Sequence, residues 1–249
     1  MSTGTRGRLA FDIETINAER PDTGRFDAQN SEHVEFFCVC VAYQTEPGTR
    51  PDHEIIFRHG KGVNAELEVI ERTLDYLESK PPESVLTYNG DGFDLPHLTG
   101  RARIAAETLE DRFDVAQRAE AFVDRVESID LMPEACAACG DEYTSFEDAC
   151  EAFGVDVVRT PLEAYSFDID VVSHRPTSKG IDPYVMGCDI PVLGERYLNL
   201  TKVGATDHPA FQELHDAIEH YAATDVVPLF ELDDRRPFNG PVAPSSETS

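Results

Sequence analysis

Residues Leu9-Ala10-Phe11-Asp12-Ile13-Glu14-Thr15 constrain this chain more than any other stretch. An apolar run leads into two acids at alternate positions and stops soon after. On a β-strand successive side chains alternate faces, so Asp12 and Glu14 point the same way. Carboxylates side by side repel each other, a conflict relieved by a cation or by one acid keeping its proton. A pair of hard oxygen ligands at a strand end is the start of a Mg²⁺ or Mn²⁺ site. Asp-x-Glu on an exposed strand end is also common without any metal, so the pair gains meaning only if further acids converge on it.

Composition bounds the rest. With 249 residues and 41% hydrophobic content, the chain is globular, with room for one large domain or two small ones. No apolar run reaches ~18 residues, so no membrane-spanning helix is expected. The leading Met-Ser-Thr-Gly-Thr-Arg-Gly-Arg has no apolar core behind its charges, so a secretory signal is not expected and a cytoplasmic location is. Net charge is −27, from 48 acids against 21 bases, and only 4 of those bases are Lys. The acids are spread along the chain. Such a surface suits a high-salt, halophilic cytoplasm, where a Debye length of ~3 Å screens self-repulsion. The alternative is an ordinary acidic protein with a basic partner. Low salt would turn this surface against nucleic acid, whereas molar salt removes most of that objection. Cys38 and Cys40 lie in an apolar run and read as core residues, and no disulfide framework is needed.

In chain order, residues 1–7 read as a flexible lead-in and 8–14 as the first strand. Val34–Gln44 reads as a central strand and His53–Arg58 as a third, giving an antiparallel meander. Apolar residues at 67, 70, 74 and 77 predict a helix over 64–78 with Asn64 as N-cap. A fourth strand is expected at Ser84–Tyr88, a helix at Leu95–Leu109 and a fifth strand at Arg125–Leu131. A short helix capped by Ser145 should follow. Residues 155–206 read as an irregular insertion, His208–Asp233 as a long helix interrupted at Pro228, and 237–249 as a disordered tail. The fold class is α/β with a mixed sheet.

Two later stretches supply more acids. In Tyr88-Asn89-Gly90-Asp91-Gly92-Phe93-Asp94-Leu95-Pro96 a strand ends in a glycine-containing loop and Asp94 opens a helix. Asp94 is either an N-cap or a third acid brought to the strand end, with glycines that let a substrate strand approach. In His220-Tyr221-Ala222-Ala223-Thr224-Asp225, Tyr221 and Asp225 are i and i+4 and share a helix face.

Together, Phe11-Asp12-Ile13-Glu14-Thr15, Tyr88-Asn89 through Phe93-Asp94-Leu95-Pro96, and Tyr221-x-x-x-Asp225 resemble the three exonuclease motifs of the DEDD superfamily, which has an RNase H-like fold. The likeness is greatest to the proofreading 3′–5′ exonuclease domain of family B DNA polymerases and their stand-alone relatives. It spans roughly residues 8–236, with the 155–206 insertion unmatched. The resemblance implies an RNase H-like five-stranded mixed sheet flanked by helices, and two divalent cations, Mg²⁺ or Mn²⁺, held by Asp12, Glu14, Asp94 and Asp225. Asp12 would bridge the ions, Glu14 and Asp225 would complete the first, and Asp94 would serve the second. It implies that Thr15, Asn89 and Phe93 contact the 3′-terminal nucleotide. The fifth catalytic position is Tyr221 or His220. The motif around Asn89 resembles the Tyr-type branch, and a continuous helix places His220 roughly 140° from Asp225, so Tyr221 is favoured. Asp130 reads as a structural cap.

Weaker signals remain. Cys136-Ala137-Ala138-Cys139 resembles half of a zinc knuckle, with Cys150, Cys188 or His174 as irregularly spaced additions, and two ordinary thiols are the default reading. Arg101 and Arg103 could reach phosphate, and Arg159, Arg175, Lys179 and Lys202 could mark a nucleic-acid track. The expected activity is metal-dependent 3′–5′ exonucleolysis of single-stranded ends, DNA favoured over RNA, in repair or processing. A polymerase does not fit in 249 residues, so a stand-alone nuclease is expected. An RNA-processing exoribonuclease is the alternative. So is a catalytically quiet binding or scaffold protein, although intact acids at every motif oppose that reading.

Overall fold

The computed structural model describes residues 7–19, 25–80, 84–166, 169–176 and 182–238. Most of the expected flexible N-terminus and disordered tail, and Lys179, lie outside the described residues. The strands are β1 (Arg8–Asn17), β2 (Val34–Gln44), β3 (Asp52–Phe57), β4 (Ser84–Thr87) and β5 (Glu127–Asp130). The helices are α1 (Val63–Ser79), α2 (Asp94–Leu109), α3 (Phe113–Arg125), α4 (Met132–Cys139), α5 (Phe146–Ala152), α6 (Ile190–Lys202), α7 (Pro209–Val226) and α8 (Leu229–Asp234). The sheet runs β3-β2-β1-β4-β5. The first three strands form the antiparallel meander, and β4 and β5 run parallel to β1. This is the mixed five-stranded, helix-flanked sheet expected of an RNase H-like fold.

Helices cover both faces of the sheet, which is why β2 is apolar almost throughout. One face of β1 presents Leu9, Phe11 and Ile13 to α1, α2 and α3. The opposite face begins with Ala10, packed with Cys40 and Leu86 against α5, α7 and α8. Asp12 and Glu14 continue that second face, where period-2 alternation puts them. A bulge breaks the β1–β2 register between Glu14 and Thr15, since Glu14 pairs with Cys38 but Thr15 with Phe36. Phe37 is left over, and the chain twists there. Helix α6 seats closely on this bulge, because a Cβ on Gly194 would lie 2.7 Å from Ile16 and 3.0 Å from Phe37.

Several local expectations change. The N-cap of α1 is Gly62, with Asn64 inside the first turn. Phe93, not Asp94, caps α2, so the Asp94 carboxylate is free for another task. Ser145 does cap α5, accepting from Asp148 N. Helices α3 and α4 were not anticipated, and α6 lies inside the stretch read as irregular. The α3 stripe of Val115, Ala116, Ala119 and Phe122 is helical in spacing but half alanine, so its apolar signal is faint. Pro228 does divide the final helical region, between α7 and α8.

One buried ion pair ties the layers. Arg101 on α2 donates to both Glu66 oxygens on α1, each at 2.7 Å, and Glu66 also accepts the Phe36 N–H of β2 at 2.9 Å. Arg101 is therefore spent on packing and not on phosphate. Removing one partner of a fully buried pair strands the other charge. Arg101→Ala is expected to cost about 3–5 kcal/mol, read as a lower urea midpoint at unchanged slope.

Candidate active site

The site forms where the parallel strands end, the usual place for a crevice in an α/β sheet. Strand β4 stops at Thr87 and pairs with β1 only through Leu9 and Ala10. Beyond that point the β1 edge has lost its neighbour. Asp94 supplies the missing acceptor: its Oδ1 takes the Ile13 N–H at 2.9 Å. The loop between β4 and α2 makes this possible. Asn89 adopts φ 67, and Gly90 passes so close to Thr87 that a Cβ would meet its side chain at 2.3 Å. Asp130 at the end of β5 fixes the loop by accepting from Asn89 N (2.8 Å) and Asp91 N (3.2 Å), a structural role.

Helix α7 crosses the second face of the sheet and delivers Tyr221 and Asp225 one turn apart. Asp12, Glu14 and Asp225 each bring a ligand atom into a cluster spanning at most 4.8 Å. Among the described residues no other three His, Cys, Asp or Glu side chains do this. The pair Cys136 and Cys139, on α4, is part of no such group. Asp94 lines the same cleft of about 300 Å³, together with Thr15, Tyr88, Asn89, Phe93 and Tyr221. The eight residues to which the resemblance gave a catalytic, metal-binding or substrate-binding part, Asp12, Glu14, Thr15, Asn89, Phe93, Asp94, Tyr221 and Asp225, all line this cleft. Ala28 and Gly187 join them without having been anticipated.

Burial and mutual repulsion dominate the electrostatics. Burial pushes the Asp12 carboxyl up to about 6. Glu14 is raised well above the carboxylate range by burial and then by Asp12, Asp225 and Asp94. Asp94 and Asp225 are raised by burial and by Asp12. A hard divalent cation at the cluster would reverse this penalty, and the all-oxygen donor set fits one. Tyr221 is also pushed far up, by burial and the neighbouring carboxylates, so at neutral pH its hydroxyl keeps its proton and bonds Asp225.

Comparison with known proteins identifies the domain family. The family model for "DNA polymerase family B, exonuclease domain" matches residues 6–129. This chain carries that exonuclease domain. A DNA polymerase of Pyrococcus glycovorans is 33% identical over 96 residues, covering 38% of this chain and 11% of the relative. A DNA polymerase of Thermococcus litoralis is 34% identical over 94 residues, covering 38% of this chain and 5% of the relative. The chain thus spans only a small part of the curated relatives it matches. The solved family B DNA polymerase of the hyperthermophilic archaeon Pyrobaculum calidifontis aligns with 93% of this chain and 24% of its own, at 16% identity and TM-score 0.46.

The matched segment of the exonuclease domain holds Asp12, Glu14 and Asp94. Tyr221 and Asp225 lie outside it and reach the cleft through folding alone. His220, one residue from Tyr221, turns away and shares a hydrogen bond with Tyr165 at 3.1 Å. Among the described residues, the expected basic track does not form at the cleft. Arg175 is buried against Asp189 (2.6 and 2.8 Å), and Arg159 pairs with Asp182 at 3.1 Å. Arg103 lines a separate groove along α2 and α3. Among the described residues lining the cleft, none is Lys or Arg. No helix of the described residues is long and apolar enough to cross a membrane.

The raised carboxyls give a signed pH dependence. Folded Asp12 holds its proton up to about 6 and the unfolded residue releases it near 3.8, so cation-free stability falls as pH climbs through that window. Asp12 alone accounts for on the order of 3 kcal/mol lost by neutral pH. A cation binds the ionised forms, so its stabilisation is greatest above that window. In thermal unfolding, Mn²⁺ should raise the midpoint at pH 7.5 far more than at pH 5. Asp12→Asn should raise the cation-free midpoint at pH 7.5 by several degrees and abolish the Mn²⁺ response.

Proposed function

We propose that the chain is a metal-dependent 3′–5′ exonuclease that shortens single-stranded nucleic acid, with DNA favoured. The observation that supports it most is the meeting of Asp12, Glu14 and Asp225 with Asp94 and Tyr221 in one cleft of a family B exonuclease domain. DNA is favoured because the matched relatives are DNA polymerases. A role in repair or processing, and work in a high-salt cytoplasm, belong to the same proposal.

Asp12, Glu14 and Asp225 would hold one divalent cation, Mg²⁺ or Mn²⁺, with Asp12 shared with a second served by Asp94. Bound there, two such ions supply a nucleophilic water at neutral pH and neutralise charge on the leaving 3′ oxygen. The protein does the remainder. Tyr221, protonated and braced by Asp225, presents a hydroxyl to orient the attacking water. Phe93 offers a ring for the terminal base and Asn89 a polar side chain at its edge. A cleft with no Lys or Arg among its described lining residues, in a chain of net charge −27, repels phosphate until cations occupy it. Substrate affinity should therefore follow cation occupancy, so that KM as well as kcat varies with cation concentration.

The test uses 5′-labelled single-stranded DNA and RNA with Mn²⁺ or Mg²⁺ in molar KCl. Stepwise shortening from the 3′ end is expected, faster on DNA. Asp12→Ala and Asp225→Ala should abolish it, Tyr221→Phe should lower kcat by about 10²-fold, and His220→Ala should behave as wild type. Full activity in Asp12→Ala would sink the site assignment.

A further inference from the structure

The cleft has one wall whose origin the acids do not explain. Ala28 lines it, yet Ala28 belongs to a polar loop between β1 and β2 with no regular structure. Three neighbours on one face of α2 hold that loop. His97 Nε2 lies 2.9 Å from the Ala28 carbonyl and His97 Nδ1 lies 2.8 Å from Ser31 Oγ. A carbonyl can only accept, so Nε2 carries the hydrogen and neutral Nδ1 accepts from the Ser31 hydroxyl. Arg101 Nη1 donates to the Ser31 carbonyl at 2.8 Å. Between them in sequence, Gly100 leaves room for the loop, since a Cβ there would lie 2.5 Å from Ser31 Oγ.

His97 is 1% exposed, and it also touches a second residue of the cleft lining. Its ring meets Phe93 edge-on, with centroids 4.4 Å apart and planes at 78°. Phe93 and Ala28 both line the cleft, and one imidazole contacts both residues. Burial keeps that imidazole below its usual range and therefore neutral, as the Nε2–H tautomer requires. Neither His97 nor Ser31 lines the cleft itself, so any effect on substrate must pass through Ala28 and Phe93.

We propose that His97 is a positioning residue for the substrate: by fixing Ala28 through the loop and Phe93 through its ring, it sets where these two lining residues meet the terminal nucleotide. The inference rests on the nuclease reading above. Fixing these two lining residues acts on binding more than on the chemical step, because the acids and Tyr221 are held by β1, α7 and the Asp94–Ile13 bond.

The experiment pairs steady-state kinetics on a 5′-labelled oligothymidylate with hydrogen exchange of the amides of residues 27–33. His97→Ala should raise KM about tenfold with kcat within about twofold, and loop amides should lose protection. His97→Gln keeps an amide donor for the Ala28 carbonyl and should recover most of both. Ser31→Ala removes one bond and should give a smaller rise in KM, and it carries the test if His97→Ala does not fold. Wild-type KM in His97→Ala or in Ser31→Ala, with the loop loosened, would overturn the proposal and leave the nuclease reading intact. Equal loss of kcat and KM control in His97→Gln would also overturn it, showing a merely structural residue. A wild-type protein with no nuclease activity would overturn both.

Discussion

Four carboxylates crowded at the end of one strand cannot all ionise without a counter-charge, and most of the surrounding structure serves to hold them in that unfavourable state. Asp12 and Glu14 are fixed by the pleat of β1, which packs Leu9, Phe11 and Ile13 into a core on its other face. Rotating the acids away would exchange that apolar face for charge, so register is strongly specified. Asp94 is fixed by a different device: it completes the hydrogen bonding of β1 where β4 has ended. Asp225 is carried in by a helix whose seat is the sheet itself. The repulsion is distributed over three independent anchors, so no single anchor has to withstand it. A strained, destabilised polar centre held by a stable scaffold is the usual relation between stability and function.

How much of this was readable in advance depended on how each feature is encoded. The strand carrying Asp12 and Glu14, the central strand β2 and the meander were legible because alternation and β-branched runs mark them directly. Asp94, Tyr221 and Asp225 were legible as short patterns, although their convergence belongs to topology: Asp225 is more than two hundred residues from Asp12. Helix α3 was missed because alanine marks half of its buried stripe, and α6 because Pro191 and Gly194 resemble loop residues. Both have physical reasons. Pro191 sits in the first turn, where its missing N–H costs nothing, and Gly194 permits contact with the β-bulge.

The arginines show the limit of charge counting most plainly. Arg101 could have reached phosphate or paired with nearby acids, and Arg175 could have marked a nucleic-acid track, yet each is buried in a two-pronged pair with an acid, Glu66 and Asp189 respectively. A sequence gives the sign of a charge but not its partner. In a chain with 48 acids, the expectation for any one guanidinium is a carboxylate. The residues left at the cleft are then acidic, aromatic or neutral.

That lining carries a consequence for recognition. A polyanion approaching this acidic cleft would gain nothing from the charges of the described lining residues, so long-range steering by them is against it. On the proposed function, short-range terms would compensate: cations between carboxylate and phosphate, and packing of a base against Phe93. Packing requires a slot of definite width, since dispersion falls off within about an ångström of contact. Ala28, which lines the cleft along with Phe93, lies on a loop, and a loop keeps a definite position only where its polar groups are satisfied. The bonds from His97 to Ala28 and Ser31, and from Arg101 to the Ser31 carbonyl, provide that satisfaction. With no base among the described lining residues, geometric definition of the lining would carry a larger share of the proposed recognition than it would in a cleft lined with Lys or Arg.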